Sequence, residues 1–161
     1  MDSKSQTISL LLNIPDALEY TVRDKKKRIH AVYPQVLPEL RDSEFSDLLQ
    51  KYSGCIYGGS AGAIIFGEDI TTSHDENKSD LTDLTGLKFI RNFCIIPHFE
   101  DHETEKMKKF VSEKKFNVIA IPEKAGIHIN DDVAKVYGRA PVKVFYADDI
   151  KTYVAGDEFN V

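Results

Sequence analysis

Three polar residues in this sequence stand just past runs of apolar ones: Ser60 after Cys55-Ile56-Tyr57, His98 after Phe93 to Ile96, and Glu123 after Val118 to Ile121. A hydroxyl, an imidazole and a carboxylate are the set that divides the labour of acyl transfer. The hydroxyl is inert at neutral pH until a histidine takes its proton as the new bond forms. The carboxylate holds the imidazole tautomer and stabilises the cation that results. Alone, each signal is weak, because a serine among glycines also occurs in tight or phosphate-binding turns, a histidine after a proline is commonly structural, and a loop glutamate is commonly solvated. Their joint position past three strand-like runs carries the reading.

The residues around the serine sharpen it. Gly58-Gly59-Ser60-Ala61-Gly62 matches G-x-S-x-G, a sharp strand-to-helix turn in which the serine backbone is strained and bulky neighbours would clash with the facing chain. A helix beginning at Ala61 leaves a free backbone N–H beside the reacting oxygen, where negative charge develops. The remaining histidines are isolated or lie in polar segments. Asp101, His102 and Glu105 lack firm ligand spacing and read as an acid-rich helix start, so no metal is expected.

Elements that would position these groups follow from hydrophobic pattern and breakers. Ile8 to Ile14, Cys55 to Tyr57, Phe93 to Ile96 and Val118 to Ile121 read as strands, the last two stopped by Pro97 and Pro122. Asp16 to Ile29 is a weakly patterned helix, and Asp42 or Ser43 caps a helix through Tyr52 that presents Phe45, Leu48, Leu49 and Tyr52 on one face. Ala61 to about Phe66 and "DHETEKMKKFVSEKKF" are helical, the latter with Met107, Phe110 and Val111 as its apolar side. "GEDITTSHDENKSDLTDLTGL" reads as an exposed loop. "GIHINDDVAKVYGRAPVKVFYADD" alternates around an Asn-Asp-Asp turn and reads as a hairpin plus one more strand.

Continuous apolar strands alternating with helices predict an α/β fold: an open, mostly parallel sheet with helices on both faces and a C-terminal β-hairpin. Ligands of such sheets bind beyond the carboxyl ends of the strands, and Ser60, His98 and Glu123 are all expected at that edge of one sheet. With 161 residues, 42% of them hydrophobic, the chain suffices for one core, so residues 1–161 are expected to form a single domain.

A net charge of -5 argues against nucleic acid, and the basic run Arg23 to Arg28 reads as a solvated face. Cys55 and Cys94 lie in apolar runs, as reduced thiols do, and no apolar stretch approaches a membrane span, so the expected setting is the cytoplasm.

Four segments in order, "YGGSAGAIIFGEDI", "LTDLTGLKFI", "IIPHFEDHE" and "IAIPEKAGIHI", resemble the dipeptidase E and cyanophycinase family of serine peptidases, related in fold to class I glutamine amidotransferases and hence flavodoxin-like. The resemblance covers about Leu37 to Val136. It implies a cytoplasmic serine exopeptidase acting on short peptides, with Ser60 as nucleophile, His98 as base and Glu123 as the acid, and with no metal or organic cofactor. A homodimer is compatible with it. Family members begin with further strand and helix units, and this chain is short at that end.

The family also carries a Gly-Gly-Asn segment that completes the oxyanion hole. Spacing puts it near His30 to Val32, where the glycines are absent and the N–H of Ala31 is the expected donor beside that of Ala61. Two other readings remain: a catalytically impaired relative serving in binding or assembly, and a glycine-rich cradle for phosphate or flavin.

Overall fold

The apolar runs before Pro97 and Pro122 pair with each other. In the computed structural model, which describes residues 7–11, 47, 51–52, 54–73 and 82–161, β3 (Phe93–Pro97) lies parallel to β4 (Asn117–Ile121), with Ile95 opposite Ile119. On the far side of β4 follow β7 (Val142–Phe145) and then β8 (Ile150–Tyr153), both antiparallel to their neighbours.

β3 and β4 are apolar at nearly every position because both faces of their sheet are covered. One face meets α2 (Thr104–Lys114), where Met107 and Val111 pack with Cys94, Ile96, Val118, Ala120 and Phe145. Burying two such helix side chains contributes about 1.5–3 kcal/mol each. The helix ends at Lys115, whose left-handed backbone (φ 63°) turns its N–H back to the Val111 carbonyl.

The other face, with Phe93, Ile95, Ile119, Ile121, Val142 and Val144, shares its core with a second sheet. That sheet is ordered β2 (Ile56–Gly58), β1 (Thr7–Leu11), β5 (Ala125–Asn130), β6 (Val133–Gly138) and β9 (Glu158–Asn160). Among the described residues its strands alternate in burial: Ala125, Ile127 and Ile129 are buried in β5, Ala134 and Val136 in β6 and Phe159 in β9, while Tyr137 and Val133 point outward. Among the described residues the layers are thus α2, the four-stranded sheet and the five-stranded sheet.

The fold is α/β, with mixed sheets. It departs from the expected single, mostly parallel sheet. Among the described residues only β1–β2 and β3–β4 run parallel, and every other strand pair is antiparallel. For β5–β6 and β7–β8 the physical reason is that consecutive strands joined by a short turn pair antiparallel, whereas parallel neighbours need a long crossover.

The segment after the serine turn is a second departure. It was expected to be an exposed loop, yet Asp69, Ile70 and Thr72 are buried, and so is Leu87 further on. Its polar side chains find partners. Asp69 accepts from the Thr71 amide at 2.7 Å and from Lys114 Nζ at 2.9 Å, and the Thr72 hydroxyl donates to the Ile95 carbonyl at 2.5 Å. The expected helix from Asp16 to Ile29 lies outside the described residues, and the one ending at Tyr52 lies largely so.

Candidate active site

Ser60 sits where β2 gives way to α1 (Ala61–Ile64), with φ 50° and ψ −123°. Glycine alone enters that backbone region freely, so holding a serine there costs about 1–3 kcal/mol. The surrounding structure holds it: the Gly62 amide donates to the Gly59 carbonyl at 2.9 Å and the Ala63 amide to the Ser60 carbonyl at 2.8 Å.

The expected crowding at the turn is real at one glycine and absent at another. A Cβ at Gly58 would overlap the Gly62 carbonyl oxygen and the Phe66 ring, whereas among the described residues a Cβ at Gly62 would meet nothing within 4 Å. Close packing among the described residues therefore accounts for Gly58 and not for Gly62. Ala61 is the first residue of α1, so its amide has no intrahelical acceptor behind it.

His98 follows the last residue of β3 in left-handed backbone, φ 54°. Its turn is fastened from both sides. The next amide, of Phe99, donates to the Ile121 carbonyl at 3.2 Å, and the buried carboxylate of Glu103 accepts from the Glu100 amide at 3.0 Å while the Glu103 amide donates to the Glu100 carbonyl at 2.9 Å. That reciprocal pair opens the 3-10 turn Asp101–Glu103 and leads directly into α2.

Glu123 stands in the turn from Pro122 to Ala125 that follows β4, closed by the Ala125 amide donating to the Pro122 carbonyl at 3.3 Å. Lys124, the third residue of this turn, has φ 64°, as a type II turn requires. Sequence pattern gave no hint of a left-handed lysine there.

These turns bring the three side chains into a chain of hydrogen bonds. Ser60 Oγ is 3.1 Å from His98 Nε2, and the other ring nitrogen, Nδ1, is hydrogen-bonded to Glu123 Oε1. An ionised carboxylate only accepts, so Nδ1 carries the proton and Nε2 is left to accept from the serine hydroxyl. The three do not hang from one sheet as expected: Ser60 follows a strand of the five-stranded sheet, His98 and Glu123 strands of the four-stranded one. The site lies across both. It is also open, with the side chains of His98 and Glu123 44% and 50% exposed.

The other predicted site residues divide. Gly58, Gly59, Ala61 and Gly62 flank the serine, while Ala31 lies outside the described residues. Asp101, His102 and Glu105 are engaged elsewhere, with Lys143 at 2.7 Å, Glu100 at 3.2 Å and Lys108 at 2.6 Å respectively. Among the described residues no three potential ligands gather to hold a metal ion.

Fold and site together define an α/β chain in which a serine at a strained strand-to-helix turn, a histidine and a glutamate are hydrogen-bonded in series. The chain belongs to peptidase family S51, whose sequence profile matches residues 34–137.

Two solved structures are similar in fold. A peptidase from an acI-B1 Actinobacterium has a TM-score of 0.60 at 19% identity, covering 80% of this chain and 56% of that one. A putative peptidase E protein from Listeria monocytogenes EGD-e has a TM-score of 0.52 at 23% identity, covering 65% of this chain and 55% of that one. The chain thus spans a little over half the length of these neighbours. No curated protein sequence matches it.

Proposed function

We propose that this chain is a serine exopeptidase of the dipeptidase E kind, which hydrolyses short peptides in the cytoplasm through Ser60, His98 and Glu123. The observation that carries the reading is the 3.1 Å approach of Ser60 Oγ to His98 Nε2, on a ring whose Nδ1 is bonded to Glu123.

In the first step Ser60 Oγ attacks the scissile carbonyl carbon while its proton passes to His98 Nε2. The Glu123 carboxylate steadies the imidazolium. The Ala61 amide donates to the oxyanion, and the Ala31 amide is the second donor expected from the family resemblance. Collapse of the tetrahedral intermediate expels the amine, which takes the proton from His98, and leaves an ester on Ser60. Water then enters by the same route, with His98 as base, to release the acid and restore the serine.

A fluorophosphonate tests the nucleophile. Adduct mapping is expected to find Ser60 labelled and His98→Ala unlabelled, and a folded sample with no adduct at Ser60 would defeat the proposal. Turnover of a dipeptide library, lost in Ser60→Ala, tests the reaction.

A second reading is an impaired member that binds peptides or assembles with partners without cleaving them. The half-exposed Glu123 favours it, since a carboxylate facing water stabilises an imidazolium less than a shielded one. Peptide binding without turnover across the library is its signature.

A further inference from the structure

The turn that carries Glu123 is held from behind by a corner far along the chain. In the β5–β6 pair Ala125 lies opposite Gly138, the last residue of β6. Gly138 has φ 110°, and a Cβ on it would overlap the Lys124 carbonyl oxygen and press on the Ala125 Cα. The next residue, Arg139, donates its amide to that same Lys124 carbonyl at 2.8 Å. One carbonyl, adjacent to Glu123 in the chain, is therefore gripped by a corner that any side chain at position 138 would push away.

The grip has consequences for direction. Lys124 occupies a left-handed conformation that a residue with a Cβ adopts reluctantly, and its amide plane is fixed by the Arg139 bond and by Ala125 entering β5. Releasing that plane lets the turn relax toward ordinary backbone and rotates the preceding residue. Glu123 is half-exposed, and burial does little to fix where its carboxylate points.

Resting on the proposed Ser60–His98–Glu123 site, we propose that Gly138 is a positioning residue: by lacking a side chain it lets β6 close on the Lys124 carbonyl and so aims the Glu123 carboxylate at His98 Nδ1. It touches no substrate and acts through Glu123.

The test compares Gly138→Ala with Glu123→Ala and with Gly156→Ala. Gly156 is a glycine of similar backbone (φ 96°), in the turn between β8 and β9, with open space where its Cβ would go, so its substitution reports strain without the grip. Ring-nitrogen NMR shifts of His98, read where the ring is neutral, tell which nitrogen carries the proton.

Expected are an Nδ1–H tautomer in the unaltered protein and in Gly156→Ala, and a shift toward Nε2–H in both Gly138→Ala and Glu123→Ala. With a peptide substrate, Gly138→Ala should lower kcat by about a hundredfold, the cost of misplacing a catalytic group by about 1 Å, at unchanged KM. It should lower it no further when added to Glu123→Ala. Lys124→Gly, which loosens the same turn without adding an atom, should give the same tautomer shift if Gly138→Ala does not fold.

The inference is overturned if folded Gly138→Ala or Lys124→Gly keeps the Nδ1–H tautomer, or if Gly156→Ala loses it equally. Since the tautomer is read without substrate, a protein that cleaves no peptide but responds this way would sink the peptidase reading and leave the positioning role standing.

Discussion

Ser60 and His98, joined by a 3.1 Å contact between Oγ and Nε2, both stand on backbone with positive φ, 50° and 54°. A third such residue, Lys124 at 64°, adjoins Glu123. Each member of the series is thus presented by a turn with an unusual backbone, and the neighbouring hydrogen bonds offset its cost.

If the serine turn stores strain, removing the side chain that suffers from it should stabilise the protein. Ser60→Gly is expected to raise the unfolding free energy by about 1 kcal/mol, the relief of strain less the entropy of an added glycine. Ser60→Ala, which keeps a Cβ, should raise it little. Urea unfolding of the two variants checks this. A glycine variant no more stable than the alanine variant would show that the turn is relaxed.

The two glycines that frame the serine should behave oppositely. Gly58→Ala meets the Gly62 carbonyl and the Phe66 ring, an overpacking expected to cost about 1–3 kcal/mol. Gly62→Ala adds a methyl group that meets nothing within 4 Å among the described residues, in the helix α1, and should stabilise by about 0.5–1 kcal/mol. Thermal melts of the pair give the comparison directly, with opposite shifts in Tm as the expected result.

Thr72 is fully buried and its hydroxyl donates to the Ile95 carbonyl. Thr72→Val keeps the shape and deletes the donor, leaving a buried carbonyl short of a partner, for an expected loss of about 1–3 kcal/mol. Thr72→Ser should lose less, since it keeps the hydroxyl and gives up only a methyl group. Chemical denaturation of both variants distinguishes the bond from the packing.

The two cysteines should separate by reactivity. Cys94 is completely buried, and burial pushes its thiol from 9.0 up to about 12, whereas Cys55 is exposed. At pH 8 iodoacetamide should modify Cys55 in the folded protein and reach Cys94 only on unfolding, because the thiolate is the nucleophile. The sign of the shift sets the pH behaviour. The protonated, buried thiol supports the fold fully below the unfolded value near 9, and that support is lost as pH rises from there through about 12. Mass spectrometry after timed alkylation resolves the two sites.

How legible this molecule is in its sequence varies with the range of the interactions involved. The apolar runs of β3 and β4 and the face of α2 are local patterns, and the prolines that stop the runs mark where His98 and Glu123 emerge. Which sheet each strand joins is not local. β2 has only three residues, too few to show whether one face or both are covered. The expectation of an exposed loop failed at Asp69 and Thr72 because composition records polarity, whereas burial there depends on Lys114 and the Ile95 carbonyl. The grip of the Gly138–Arg139 corner on Lys124 joins positions with no periodicity in common.

The chain after the serine turn also treats one edge of the four-stranded sheet. Two carbonyls of β3 are bonded outside the β3–β4 pair: that of Phe93 by the Glu68 amide at 2.9 Å and that of Ile95 by the Thr72 hydroxyl. A foreign strand that paired with these two carbonyls would first have to evict their donors. The opposite margin, β8, is the sheet's other terminal strand among the described residues, so strand addition from outside would meet less obstruction there than at these two carbonyls.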